Sequence, residues 1–157
     1  YSSAANYAQI NALLREMSLF RGERFILVDD SHGAISAADL VVLSSGTATL
    51  ETLLLRRPMI VGYKLAAITF AIASRLVKIP YVALPNLLAG RQLVPEYIQH
   101  DLTAAKVRDG IVSHISGAED HAGLMQEFEK IHRSLRLDAS AQAAAAVAGL
   151  IEDSVAQ

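Results

Sequence analysis

Apolar positions along the chain follow two rhythms that alternate. Residues 5–18 carry Tyr7, Ile10, Leu13, Leu14 and Met17 three and four apart, which predicts a helix packed along one side. After a turn at Arg21-Gly22-Glu23, the unbroken run Phe25-Ile26-Leu27-Val28 predicts a buried strand. Asp29-Asp30-Ser31 ends it with residues suited to cap a short helix containing Ile35 to Ala38. A strand over 40–43, a helix over 47–55 and a strand over 59–63 follow, with Arg56-Arg57-Pro58 as a turn, and then a helix over 67–77 and a strand over 81–84. The remainder reads as helical. Val107, Ile111, Val112 and Ile115 share a register within 104–115, and Leu124, Phe128, Ile131 and Leu135 continue it. Asp138 or Ser140 caps a last helix over 141–155, whose Ala143–Ala146 tract and apolar Val147, Leu150 and Ile151 predict tight packing.

Short all-apolar strands alternating with helices imply a parallel sheet covered on both faces. The expected fold class is therefore α/β, a doubly wound parallel sheet followed by a helical carboxyl-terminal tail. Division into a unit over 1–118 and a helical extension over 119–157, packed on the domain or on a second subunit, is the expected organisation.

Composition narrows the functions. With 157 residues, 52% hydrophobic, the chain suits one domain with a sizeable core. A formal charge of −2, with both signs interspersed, offers no basic stripe for nucleic acid. There is no cysteine for disulfides, thiolate metal sites or thiol nucleophiles, and His32, His100, His114, His121 and His132 lack metal-binding spacing, so neither metal nor cofactor is expected. Tyr1-Ser2-Ser3-Ala4-Ala5-Asn6 resembles neither a native start nor a signal peptide, and a piece of a longer protein is expected. The apolar segment 65–84 is broken by Arg75, Lys78 and Pro80, so it is not expected to span a bilayer. Two readings of 65–78 stand: a core helix, or an apolar and basic segment resting at a membrane surface.

The run Ser44-Ser45-Gly46-Thr47-Ala48-Thr49-Leu50-Glu51 carries the chemistry. A strand that breaks into small hydroxyl and glycine residues and then becomes a helix leaves backbone N–H groups open to an anion. The hydroxyls of Ser45 and Thr47 can bond a phosphate, Gly46 admits the ligand to the backbone, and Glu51, one turn on, can accept bonds from ribose hydroxyls. The plain alternative is a serine cap on an ordinary turn between strand and helix. Ligands of open parallel sheets sit beyond the carboxyl ends of the strands. The strand-end loops, at 29–31, 44–47, 62–64 and 85–91, are expected to gather Tyr63, Lys64, Asn86, Gly90 and Arg91 with the hydroxyl loop on one edge.

Ser-Gly-Thr-Ala-Thr-Leu-Glu at 45–51, Arg-Pro-Met-Ile-Val-Gly-Tyr-Lys at 57–64, Arg-Leu-Val-Lys at 75–78 and Leu-Pro-Asn-Leu-Leu-Ala-Gly-Arg at 84–91 together resemble the carboxyl-terminal domain of lipid-A-disaccharide synthases. The resemblance runs from the first helix to the last. It implies the two-domain GT-B fold, with this chain as a Rossmann-like donor domain incomplete at its amino-terminal end. It also implies inverting, metal-free transfer from UDP-2,3-diacylglucosamine to 2,3-diacylglucosamine 1-phosphate, releasing UDP. By that resemblance Ser45, Gly46 and Thr47 hold phosphate and Glu51 contacts ribose. Asn86, Gly90 and Arg91 complete the donor side near Tyr63 and Lys64, and Arg91 stabilises charge on the leaving UDP. The acceptor pocket and general base are expected outside these residues, so the isolated chain is expected to be inactive. The partners implied are the UDP-sugar donor, the lipid acceptor, the cytoplasmic surface of the inner membrane and a second copy of the chain. Two alternatives remain. One is another GT-B enzyme, a peptidoglycan-lipid N-acetylglucosaminyl transferase or a UDP-sugar epimerase. The other is a non-catalytic α/β domain that binds a partner.

Overall fold

A computed structural model describes residues 4–16, 25–66, 80–117, 120–136 and 138–155. In chain order the elements are α1 (Ala4–Glu16), α2 (Ser31–Ala37), β1 (Val41–Ser44), α3 (Thr47–Leu54), β2 (Met59–Tyr63), α4 (Leu84–Ala89), β3 (Glu96–Ile98), a 3-10 turn (Gln99–Asp101), α5 (Ala104–Ile115), α6 (His121–Leu135) and α7 (Ala139–Val155). The strands form a parallel sheet in the order β1-β2-β3. Val41 pairs with Met59 and Ser44 with Gly62, while Val61 pairs with Glu96 and Tyr63 with Ile98. The fold is the expected α/β class with a helical tail.

Side chains of β2 alternate between two covered faces. Met59 and Val61 join Leu53, Ala83, Val94, Phe128 and Ile131 in one core, roofed by α3, α4 and α6. Ile60 points the other way, toward α5. There Gly110 is required by space: a Cβ on it would lie 3.0 Å from both Ile60 Cδ1 and Tyr97 Oη. Gly62 is pinned similarly, since its Cβ would meet Leu102 Cδ1 at 2.8 Å.

The expected α1, β1, α3 and β2 form within a residue or two of their expected bounds, α2 runs from Ser31 to Ala37 with Ala38 as its C-cap, and the expected helix over 67–77 lies outside the described residues. Asp30 caps α2, accepting from Gly33 N–H at 2.9 Å. Two expected strands do not form. Residues 25–28 are not among the strands of the sheet, whose order is β1-β2-β3, and Phe25, Ile26 and Val28 are exposed. An apolar run supplies a strand's side chains but not the neighbouring backbone it must bond.

Residues 81–84 also fail as a strand. The N–H groups of Val82 and Ala83 donate to the Glu96 carboxylate at 3.0 and 2.9 Å, and Pro85 sits in the first turn of α4, where its missing N–H is no loss. The third strand is instead β3, which apolar patterning missed because it is short and begins with an acid.

Rotation of the later helices also needs correction. On α5 the inward positions are Gly110 and His114, with Val112 57% and Ile115 77% exposed. A small residue permits close approach to the sheet, so the packed face is not the most hydrophobic one. On α6, Phe128 and Ile131 are buried as expected, but Leu135 is exposed. Helix α7 forms, its Ala141 N–H bonded to Asp138 Oδ1 at 3.1 Å, yet Val147 and Ile151 are both exposed, contrary to the tight packing expected.

Candidate functional site

Strand β1 ends at Ser44, level with Gly62, and the chain turns through Ser45 and Gly46 into α3. Gly46 has φ 147° and ψ −166°, a conformation open essentially to glycine alone, and among the described residues beyond its chain neighbours no atom lies within 4 Å of where its Cβ would be. It occupies the N-cap without any side-chain bond to the amides that open the helix. Its carbonyl receives both Thr49 N–H at 3.1 Å and Thr49 Oγ1 at 2.7 Å, and Thr52 Oγ1 donates to Ala48 O at 2.8 Å. These internal bonds let Thr49 and Thr52 be fully buried beside Leu53. The opposite side of the helix carries Thr47 and Glu51, exposed and four residues apart, hence neighbours.

Parallel register brings the end of β2 to the same edge. Tyr63 is half-buried there and Lys64 exposed. The next residue is clamped by Gln99, whose amide accepts Leu65 N–H at 2.7 Å and donates to Leu65 O at 3.2 Å. Ser45, Gly46, Thr47, Glu51, Tyr63 and Lys64 thus share the carboxyl edge of the sheet, as expected.

Asn86, Gly90 and Arg91 do not join them, which corrects the expected gathering of all strand-end loops on one edge. The segment 85–91 is mostly helix α4, ended by Gly90 in the left-handed conformation at φ 65°. Asn86 is completely buried. Its Nδ2 donates to Val94 O at 2.9 Å and Glu96 Oε1 at 2.7 Å, and its Oδ1 accepts from Leu93 and Val94 N–H at 2.7 and 2.9 Å. That uses the full capacity of the amide for the fold.

Arg91 lies where α4 has run back to the start of the strands. It lines an open cleft of about 540 Å³ with Pro58, Met59, Pro95, Asp120 and Glu127. Its guanidinium pairs with Glu127 at 3.1 Å. Glu127 is held below its ordinary value first by the hydrogen bond from Lys130, against some desolvation, and then by the charges of Lys130 and Arg91. Similarly, Glu129 is held low by Arg133 first and by Arg56.

Residue-by-residue reasoning missed Glu96 and Gln99, whose side chains fix the loops beside the hydroxyl turn. A signal existed in Glu96. An acid beside the apolar pair Tyr97-Ile98 needs internal donors if that run is to pack.

Parallel strands with helices on both faces, and a glycine turn opening a helix at their carboxyl edge, define a doubly wound α/β protein. Within that class, the chain belongs to the lipid-A-disaccharide synthetase family, whose model matches residues 4–148. It is 52% identical over 126 residues to a lipid-A-disaccharide synthase of Pseudomonas fluorescens, an alignment covering 80% of this chain and 33% of that one. Synthases of Pseudomonas putida and Hahella chejuensis are 46% and 43% identical over 97% and 95% of this chain, and 39% and 38% of their own lengths. The chain therefore spans between a third and two fifths of these relatives. Among the described residues no helix is long and apolar enough to cross a membrane.

Proposed function

We propose that this chain is the part of a lipid A glycosyltransferase that binds the UDP-sugar donor. In the reaction proposed, the 6-hydroxyl of 2,3-diacylglucosamine 1-phosphate attacks C1 of UDP-2,3-diacylglucosamine. The bond from C1 to the diphosphate oxygen breaks, the electron pair leaves with UDP, and the proton passes to a base outside these residues. The observation that carries the reading is the start of α3, a glycine-capped helix whose opening amides meet no capping side chain among the described residues and whose Thr47 and Glu51 are exposed together. Such amides favour an anion, and charge that grows on the leaving diphosphate is stabilised best by donors already in place. Thr47 adds a hydroxyl donor, Lys64 a cation on the same edge, and Glu51 an acceptor for ribose. Stabilisation of the leaving group falls to these groups rather than to Arg91, which Glu127 engages at the other end of the sheet.

Titration of UDP into a complete synthase carrying this sequence tests the reading. Thr47→Val and Glu51→Ala are each expected to weaken binding about tenfold, the effect of one lost hydrogen bond to a charged or polyhydroxylated ligand. Unchanged affinity in both variants overturns it. A second copy is the partner we propose for α7, whose exposed Val147 and Ile151 lie four residues apart. A monomeric mass by light scattering at micromolar concentration overturns that part. Acylated substrates favour peripheral association with the cytoplasmic face of the inner membrane, for which sedimentation with anionic vesicles is the check.

A further inference from the structure

Glu96 opens β3 level with Val61, and its carboxylate receives three hydrogen bonds. Val82 N–H donates to Oε2 at 3.0 Å, while Ala83 N–H at 2.9 Å and Asn86 Nδ2 at 2.7 Å donate to Oε1. The peptide unit joining Val82 to Ala83 is thereby held on both sides, because its carbonyl accepts the Ser45 hydroxyl at 2.6 Å. Hydrogen bonds in series polarise one another. A carboxylate drawing on the amide N–H raises the negative charge on the oxygen of that same amide, which strengthens its hold on the Ser45 proton.

A serine hydroxyl has one proton and two lone pairs. With the proton turned toward Val82, Ser45 Oγ offers only lone pairs to a ligand. A phosphate oxygen is an acceptor as well and makes a mismatched partner, whereas a sugar hydroxyl or an N–H group is matched.

We propose that Glu96 is a positioning residue which acts through the Val82–Ala83 peptide to fix Ser45 as a hydrogen-bond acceptor for a hydroxyl or N–H group of the donor. The diphosphate is left to Thr47 and the amides that open α3. This rests on the donor-site reading above and changes the role the resemblance implied for Ser45.

The test is a double-variant cycle in a complete synthase carrying this sequence. Glu96→Gln keeps an oxygen for Ala83 and Asn86 but turns an NH₂ group onto Val82 N–H. Ser45→Ala and Glu96→Gln are each expected to raise KM for the UDP-sugar about tenfold with kcat little changed, and the double variant to be no worse than either single one. Costs that multiply in the double variant, or a loss confined to kcat, overturn the coupling. Should Glu96→Gln fail to fold, Ser45→Ala alone decides: donor KM rises while inhibition by inorganic pyrophosphate stays the same, and a parallel loss of pyrophosphate inhibition overturns the acceptor role. Wild-type enzyme that binds no UDP overturns the donor site itself, whereas wild-type binding with independent effects of the two variants overturns only the part given to Glu96.

Discussion

At the carboxyl end of the sheet, Gly46, Thr47, Glu51 and Lys64 stand exposed around a helix start that has no capping side chain among the described residues. At the amino end the charges are denser, yet they are engaged with one another: Arg91 and Lys130 with Glu127, Arg56 and Arg133 with Glu129. A guanidinium near a cleft therefore says less about ligands than a glycine beside an open helix start. Helix α4 connects the two ends, and its residues divide accordingly. Asn86 near its beginning is structural and buried, while Arg91 beyond its end sits on the surface in an ion pair.

The largest effect that this contrast predicts is at Asn86. Replacement by Ala removes four hydrogen bonds and strands Leu93 and Val94 N–H, Val94 O and part of the Glu96 carboxylate. Buried groups left without partners each incur an uncompensated desolvation cost, so a total of about 2–4 kcal/mol is expected. Urea unfolding monitored by circular dichroism measures it. A loss below about 1 kcal/mol would mean that water or a rearranged backbone replaces the amide.

Gly46→Val comes next. Among the described residues nothing meets a Cβ placed there, so the expected loss of about 1–3 kcal/mol arises chiefly from backbone strain. UDP affinity is expected to fall as well, because the relaxed turn re-aims the first amides of α3. Normal affinity in a folded Gly46→Val protein would break the link between the glycine conformation and the site. Glu51→Ala sharpens the same contrast from the other side. Its side chain is exposed and its removal should leave stability within about 0.5 kcal/mol, while UDP affinity drops about tenfold. Equal thermal midpoints with unequal titration curves are the expected pair of results.

Much of this architecture was legible in the chain because local chemistry dictates it. Asp30 and the Ser-Gly-Thr turn mark the starts of α2 and α3, and an unbroken Met59–Val61 marks a strand buried on both faces. What stayed hidden depends on distant partners. Residues 25–28 have a strand's composition, but pairing is a property of neighbours. Residues 81–83 would read as a strand in isolation, yet a carboxylate thirteen and fourteen residues away takes their amides. Arg91 followed an apolar run as ligand-binding cations often do. Only the course of α4 carries it to the opposite end of the sheet, beside Pro58 and Met59. The candidate site divides in the same way: its glycine, hydroxyl and acid lie in one contiguous stretch, and Glu96 and Gln99, which hold its surroundings, come from another.

The smallest expected effects belong to the amino-end charges, and they separate by pH. Arg91→Ala should leave UDP affinity unchanged, since its partner is Glu127 and the open cleft there lies at the start of the strands, away from the start of α3. Glu127 titrates below its ordinary value of 4.5 in the folded protein, chiefly through the Lys130 hydrogen bond. A carboxylate with a depressed folded value contributes stability that is fully present above its unfolded value and fades as pH falls through the folded one. The thermal midpoint of wild type should therefore exceed that of Glu127→Gln slightly at pH 7, by less than any change named above, since exposed pairs contribute little. The gap should close as the pH drops below about 4.5, where the unfolded chain takes up its proton first. High salt at pH 7 should narrow the gap too, because the side chains of both cations are largely exposed to solvent. A gap that persisted at low pH and high salt would assign the contribution of Glu127 to packing of its methylenes against α4, and the amino end would then be held by contact rather than by charge.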